Sequence, residues 1–299
     1  MRERARRRFD DETPYTRRGR ITEQERARLA ELRETAYAEP EIPGGGDRYS
    51  TWDTGERGPH PRPDWVVTEL AAVDTELGLL KTGKEADVHL LRRGVPGNTH
   101  DCLLAAKRYR AAEHRQFQRD TGYLEGRRMR RSRENRAMAG RTSFGRNLIA
   151  EQWAVAEFTA LSRLWTVGAP VPYPVQRNGT ELLLEFLGDA DGVAAPRLAQ
   201  LRPDPEELEH LWFQLVRAME LLAAEGLAHA DLSPYNVLVH RGSVVLIDLP
   251  QVVDVIANPA GAEYLERDAA NVGRWFTARG LRVELPEVLE RLRDRAGLR

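Results

Sequence analysis

His229-Ala230-Asp231-Leu232-Ser233-Pro234-Tyr235-Asn236, followed at Ile247-Asp248 by a second acid, is the stretch on which the reading of this 299-residue chain turns. It sets an asparagine five residues after an aspartate and another aspartate twelve residues further on. Between them, Asn236 to His240 and Ser243 to Asp248 read as two short strands joined at Arg241-Gly242, a hairpin that folds Asn236 back beside Asp248. Phosphoryl transfer needs one carboxylate to orient or deprotonate the acceptor hydroxyl, and an amide and a carboxylate to hold Mg²⁺ against the phosphates. Asp231, Asn236 and Asp248 are those residue types at a spacing that lets them converge. The plainer alternative is a helix-to-hairpin connection with ordinary surface polar residues.

Upstream residues weigh against that alternative. The spacing H-x-D-L-x-x-x-N matches the catalytic loop of kinases, with Ala230 where protein kinases usually carry Arg. Such a site needs a strand lysine for the α/β-phosphates, and Lys107 ends the apolar run Leu103-Leu104-Ala105-Ala106. Asn147 to Val167 is amphipathic, and Glu157 falls on its apolar stripe, one turn from Trp153 and from Leu161. An inward carboxylate is costly unless a cation meets it, and Lys107 is the candidate. Gly78-Leu79-Leu80-Lys81-Thr82-Gly83-Lys84-Glu85 nearly matches the Walker phosphate-loop pattern. Its last residue offers no hydroxyl for Mg²⁺, and a strand rather than a helix follows. Thr82 to Val88 reads better as a strand–turn–strand that covers phosphates, with Lys84 supplying charge.

The rest of the chain divides around these motifs. Residues 1–20 hold eight arginines and four acids with almost no apolar content, and are expected to be disordered. Thr22-Glu23-Gln24-Glu25 is a capping-box pattern for a helix to about Ala36. Glu39 to Asp64 holds five prolines and five glycines and reads as a linker or a loop wrapped over the surface, so the globular part is expected to start near Trp65. Residues 65–188 form a strand-rich unit with one long helix, interrupted by a basic insert at 108–146; residues 189–299 are mainly helical. Pro205 to Glu225, about Ala260 to Arg279 and Pro286 to Arg295 are the predicted helices. This is an α+β arrangement of two lobes.

Composition excludes several classes. A single Cys102 builds neither a disulfide framework nor a cysteine metal cage. No segment approaches the ~18–20 uncharged apolar residues of a membrane span, and the N-terminus lacks a signal-peptide core, so a soluble cytoplasmic protein is expected. The net charge of −1 excludes a uniformly basic nucleic-acid binder. Only three of the 45 basic residues are lysine: Lys81, Lys84 and Lys107. A compact ammonium differs from a guanidinium fork, so the places where lysine survives are informative.

Together these residues resemble the RIO atypical protein kinases. The resemblance rests on T-G-K-E-A-D-V at Thr82–Val88, A-A-K at Ala105–Lys107, E-F-L-G at Glu185–Gly188, H-A-D-L-S-P-Y-N at His229–Asn236, I-D-L-P-Q at Ile247–Gln251 and R-D-A-A-N-V at Arg267–Val272. It implies a bilobal protein-kinase-like fold with a β-rich N-lobe and a truncated helical C-lobe. The 51 residues after Asp248, which contain no A-P-E motif, accord with that. The resemblance further implies ATP and Mg²⁺ (or Mn²⁺) as cofactors and Asp231 as the catalytic aspartate. It makes Asn236 and Asp248 metal ligands, pairs Lys107 with Glu157, and gives the backbone of Glu185, Phe186 and Leu187 to adenine. Thr82, Lys84 and Val88 cover the nucleotide. Asp248 is itself a phospho-acceptor in some members, so transfer to a protein hydroxyl, autophosphorylation and an ATPase cycle through Asp248 all stay open. The chain departs from the family in having no winged-helix sequence before the kinase part, and in the length of its basic insert.

Residues 101–150 carry thirteen positive and five negative side chains, whereas 151–250 carry six and fourteen, so the near-neutral total hides two opposed blocks. Contact of the insert Arg108–Arg146 with ribosomal RNA or a ribosomal particle is one expectation, with Tyr109, Phe117 and Tyr123 available for stacking; a solvated insert is the other. Ser132, Thr142 and Ser143 lie nearby as candidate autophosphorylation sites. Two rival functions remain at this level: a small-molecule phosphotransferase of the aminoglycoside-kinase type, and a non-catalytic assembly factor switched by ATP. Lys107→Ala is expected to weaken ATP use with little loss of stability, because the site rather than the core loses a partner.

Overall fold

The computed structural model describes residues 42–110 and 143–298. The predicted N-terminal helix, the expected disorder at 1–20 and most of the basic insert, with Phe117, Tyr123, Ser132 and Thr142, lie outside the described residues.

The first half is one antiparallel sheet. Its long strands are β3 (Val73–Thr82), β4 (Ala86–Gly94) and β5 (Asp101–Tyr109), followed by β6 (Pro174–Asn178) and β7 (Glu181–Glu185), with short edges β1 (Arg48–Tyr49) and β2 (Glu56–Arg57). The strand order is β1-β3-β4-β5-β7-β6-β2. Side chains alternate between two faces. Cys102, Leu104 and Ala106 of β5 pack with Leu91, Val175 and Leu183 on the far face, whereas Ala105 and Tyr109 face the larger core that also takes Leu182 and Leu184.

The far face explains a correction. Residues 42–64, expected as a linker or surface loop ahead of a globular part starting near Trp65, supply β1 and β2 and bury Trp52 in the far-face cluster with Val66 and Val67. Arg57 and Arg62 lie over the Trp52 ring at 5.1 and 5.3 Å. An apolar sheet face must be covered. The glycines here permit close approach more than flexibility: a Cβ on Gly58 would lie 1.9 Å from the Pro174 carbonyl oxygen.

Helix α1 (Ser143–Thr166) lies on the opposite face. Trp153, Ala154, Phe158, Leu161 and Leu164 enter the core, and Trp153 meets Tyr109 edge-on at 6.2 Å. Strand β5 and this helix shorten the predicted insert, since Arg108 and Tyr109 belong to β5 and residues 143–146 to α1. The helical half follows. Asp204 caps α2 (Pro205–Ala224) by accepting the Glu207 N–H, and Gly226 at φ +67° ends that segment. Strands β9 (Val237–His240) and β10 (Ser243–Leu246) pair around Arg241 and Gly242, both at positive φ, the geometry of a type I′ hairpin. The short strands β8 (Leu227–Ala228) and β11 (Val253–Asp254) pair with each other, and α3 (Gly261–Thr277) and α4 (Leu285–Arg295) complete the α+β arrangement.

One buried network ties the sheet together. Arg93 is fully buried and grips both Asp74 oxygens, at 2.7 and 3.0 Å, while its third donor meets Gln176 at 2.6 Å. Removing one partner of a buried pair strands the other charge and costs about 3–5 kcal/mol. Asp74→Ala should therefore lower the urea midpoint sharply, and Asp74→Leu combined with Arg93→Met should recover most of the loss; equal midpoints for Asp74→Ala and wild type would contradict this account.

Candidate active site

Lys107 stands near the end of β5, in a row that crosses the sheet from Lys81 through Val88 and Lys107 to Leu182. Directly opposed residues share a face, so this row looks toward α1 and the helical half. The Lys107 ammonium lies 2.7 Å from Glu157 Oε1 and 2.6 Å from Asp248 Oδ1. Glu157 sits where its place on the apolar stripe predicted, between buried Trp153 and Leu161. Its second oxygen accepts the Tyr109 hydroxyl, and Oε1 also accepts the Leu249 N–H at 3.1 Å. A buried carboxylate is tolerable here because each oxygen is occupied.

Electrostatics follow from that geometry. Burial works to lower the Lys107 pKa, but Glu157 and Asp248 outweigh it and raise it above the ordinary lysine value. Burial likewise works to raise the Asp248 carboxyl, yet Lys107, by charge and hydrogen bond, with Lys81 and His229 adding, holds it at about 2. Tyr109 is pushed well above the usual phenol value, by burial first and by Glu157 second. Truncating Lys107 would leave Glu157 buried without its cation, so the expectation that Lys107→Ala costs little stability is corrected.

The loop that carries Asp231 is held by its backbone. Asp268 of α3, buried, accepts the Ala230 N–H at 2.7 Å and the Leu232 N–H at 3.0 Å. Arg267 donates to the Ala230 carbonyl, and Asn271 Nδ2 donates to the Leu232 carbonyl at 3.3 Å. Ala230 takes φ +66° and Asp248 φ +67°, a conformation costing roughly 1–2 kcal/mol for a residue with a Cβ. Between its two anchored neighbours Asp231 is left exposed. Asn236 Nδ2 donates to the Asp231 carbonyl at 2.9 Å, and the Asn236 carbonyl accepts the Ile247 N–H at 3.0 Å. His229 Nε2 donates to the Ile247 carbonyl at 3.0 Å, so the residue before Asp248 is bracketed on both sides. The hairpin brings Asn236 and Asp248 together as its spacing suggested.

Asp268 and Asn271 were missed. The motif Arg267–Val272 gives no role to its one acid by itself, although Asp268 falls on the buried stripe of Leu265, Ala269, Val272 and Phe276, the same signal that singles out Glu157.

The β3–β4 turn is tight. Gly83 N–H donates to the Ala86 carbonyl at 2.9 Å, and a strand follows, as the rejection of a Walker loop required. Arg110 braces the turn from β5's end through the Gly83 carbonyl and through Asp87 at 3.2 Å. Val88 belongs to the Lys107 row. Thr82 does not: it pairs with Asp87, which pairs with Arg108, on the face away from Lys107. Thr82, expected among the residues that cover the nucleotide, thus turns its side chain to the other face, by a parity that a β-bulge sets. Lys84 is exposed at the tip, whereas half-buried Glu85 titrates above its usual range because of burial first and the nearby Asp248 second. At the end of β7, Glu185 turns away, accepting the Tyr173 N–H at 3.0 Å, and the Leu187 carbonyl accepts the Ala195 N–H at 2.8 Å. Phe186 is half-buried beside them.

A family model described as the RIO domain matches residues 99–288, the span that holds Lys107, Glu157, Asp231, Asn236, Asp248 and Asp268. The chain belongs to the RIO domain family. It is 34% identical over 227 residues to the serine/threonine-protein kinase RIO1 of Caenorhabditis elegans, covering 75% of this chain and 42% of that protein. Against the RIO-type serine/threonine-protein kinase Rio1 of Haloferax volcanii it is 32% identical over 209 residues, 70% of this chain and 65% of the relative. The corresponding protein of Thermoplasma acidophilum is 34% identical over 150 residues, 50% of this chain and 77% of the relative. The RIO chain described here thus spans less than half the length of the nematode relative.

Two outcomes are expected of the RIO site. Asp268→Ala leaves two buried N–H groups unpaired, at about 1–3 kcal/mol each; melting temperature should fall and amide exchange at Ala230 and Leu232 should quicken, and unchanged exchange would refute the anchoring role. Asp248, with its folded pKa depressed, contributes stability that is present above the ordinary aspartate pKa and lost as pH falls through about 2. Acid titration of wild type should therefore show a loss between about pH 4 and pH 2 that Asp248→Asn flattens.

Proposed function

We propose that this RIO-family chain is an ATP- and Mg²⁺-dependent phosphotransferase that moves the γ-phosphate to a serine or threonine hydroxyl, its own included. The observation that carries the reading is the Lys107 ammonium held between Glu157 and Asp248, with Asp231 and Asn236 anchored on the loop beside them. Lys107 is presented to phosphate oxygens by Glu157, and a phosphate arriving there competes with Asp248 for the same cation. Backbone of Glu185 to Leu187 meets the adenine, and Val88 covers it. Asp231, exposed, takes the proton of the acceptor hydroxyl; that oxygen bonds to the γ-phosphorus while the bond from phosphorus to the β–γ bridging oxygen breaks, releasing ADP.

The donor set suits Mg²⁺. Asn236 has its Nδ2 committed to the Asp231 carbonyl, so Oδ1 is free, and Asp248 has one oxygen on Lys107 and the other available. Among the described residues no group of three or more His, Cys, Asp or Glu side chains forms a metal cage. One amide and one carboxylate, with substrate phosphates and water completing the shell, is a hard-oxygen site of the kind Mg²⁺ prefers. Bound there, the ion neutralises charge on the phosphates. No helix among the described residues is long and apolar enough to cross a membrane.

The test is ATP labelled at the γ-phosphate, incubated with wild type, Asp231→Ala, Asp248→Ala and Lys107→Ala. Wild type should label a protein hydroxyl or release phosphate, and Asp231→Ala should lose about 100-fold or more of that activity while keeping its melting temperature. Lys107→Ala should lose activity and about 3 kcal/mol of stability together. Equal turnover in all four proteins would overturn the assignment. Label released by hydroxylamine and absent from Asp248→Asn would instead make Asp248 the acceptor, through an acyl phosphate formed as ADP leaves.

A further inference from the structure

The proposed chemistry leaves Lys81 unused. It reaches the sheet face that looks toward α1 and the helical half through a bulge. The β3–β4 ladder passes from Leu79 opposite His89 to Lys81 opposite Val88, skipping Leu80. Without the extra residue Leu80 would oppose Val88, and Lys81 would turn toward the far face, where Leu91, Leu104 and Ala106 pack. Bulges beside active sites commonly re-aim a side chain in this way. Adjacent strands lie about 4.8 Å apart, so Lys81 stands about 10 Å from Lys107 in the same row, on the other side of Val88.

Arg197 is close enough for its charge to act on Lys81. It precedes α2, its backbone bridges to Leu238 of β9, and its guanidinium donates to the Tyr235 carbonyl at 2.5 Å, next to Asn236. Lys81 makes no ion pair among the described residues. Burial, and then Arg197, lower its pKa, against a smaller opposing pull from Asp248. Two half-buried cations thus act on one another, with Arg197 fastened to the loop that carries Asp231 and Asn236. Such a pair is unfavourable by itself and becomes favourable when an anion enters between them.

We propose that Lys81 and Arg197 form a second cationic grip on the phosphate chain of the nucleotide, beyond Val88 from Lys107. This rests on the nucleotide reading of the site. A polyphosphate is the ligand class that spans two cationic points about 10 Å apart in one row.

Calorimetric binding of adenosine, AMP, ADP and ATP to wild type, Lys81→Met and Arg197→Met tests it. Wild-type affinity should climb with each added phosphate. Lys81→Met should weaken ATP by about tenfold, keep adenosine unchanged, and leave the nucleotide-free melting temperature equal or higher, since a like-charge contact is gone. Arg197→Met should cost less in the Lys81→Met background than in wild type, because both act on one anion. Equal ATP affinity in Lys81→Met and wild type, or an equal loss for adenosine and ATP, overturns the grip while leaving the nucleotide site standing. Wild type that binds none of the four overturns both.

Discussion

An ammonium held at 2.7 and 2.6 Å from two carboxylates joins three parts of the molecule that are far apart in sequence: the end of β5, the middle of α1 and the residue after β10. Lys107 is the cation that makes Glu157 tolerable inside the apolar stripe of α1, and it draws Asp248 toward the sheet. Without it Glu157 would be buried with no cation beside it, and Asp248 would lose the one at 2.6 Å. The Tyr109 hydroxyl and the Leu249 N–H fill the remaining positions on Glu157, so the helix, the sheet and the segment after the hairpin share one hydrogen-bonded joint. That joint holds the Lys107 ammonium on the sheet face that looks toward the helical half.

The second constraint is conformational. Ala230 and Asp248 both sit in the left-handed region without being glycine, and each is flanked by contacts that hold it there. Asp268, Arg267 and Asn271 of α3 fasten the loop on either side of Asp231, while His229 and Asn236 fasten Ile247. Strain of this kind survives only where the surroundings over-determine it. Here the fastening is done through backbone groups, which leaves the Asp231 side chain exposed and the Asp248 carboxylate on Lys107. Helix α3, remote in sequence, is thereby part of the site.

Much of this was legible from residue patterns, and the misses have physical causes. Glu157 was readable because a charged residue on an apolar stripe demands a partner. Asp268 carried the same signal and was passed over, since its partners are N–H groups, which leave no mark in the sequence. The place of Thr82 in its motif does not say which face its side chain takes, because that depends on strand register, and the bulge at Leu80 sets Lys81 on the Lys107 face instead. The proline- and glycine-rich stretch before Trp65 showed that no helix would form there. It did not show that Trp52 would seal the far face of the sheet, because burial is a property of what the backbone lies against.

The sequence by itself determined the order of the helices α1 to α4, the hairpin that returns Asn236 to Asp248, and the identity of the strand lysine and the helix glutamate, because each rests on spacing and periodicity within a few turns of chain. Only the tertiary structure decided that one ammonium bridges two carboxylates, that α3 anchors the loop, and which lysine of the turn faces the cleft. Those outcomes depend on distances between segments up to 141 residues apart and on the parity of a bulged ladder, and local pattern constrains neither.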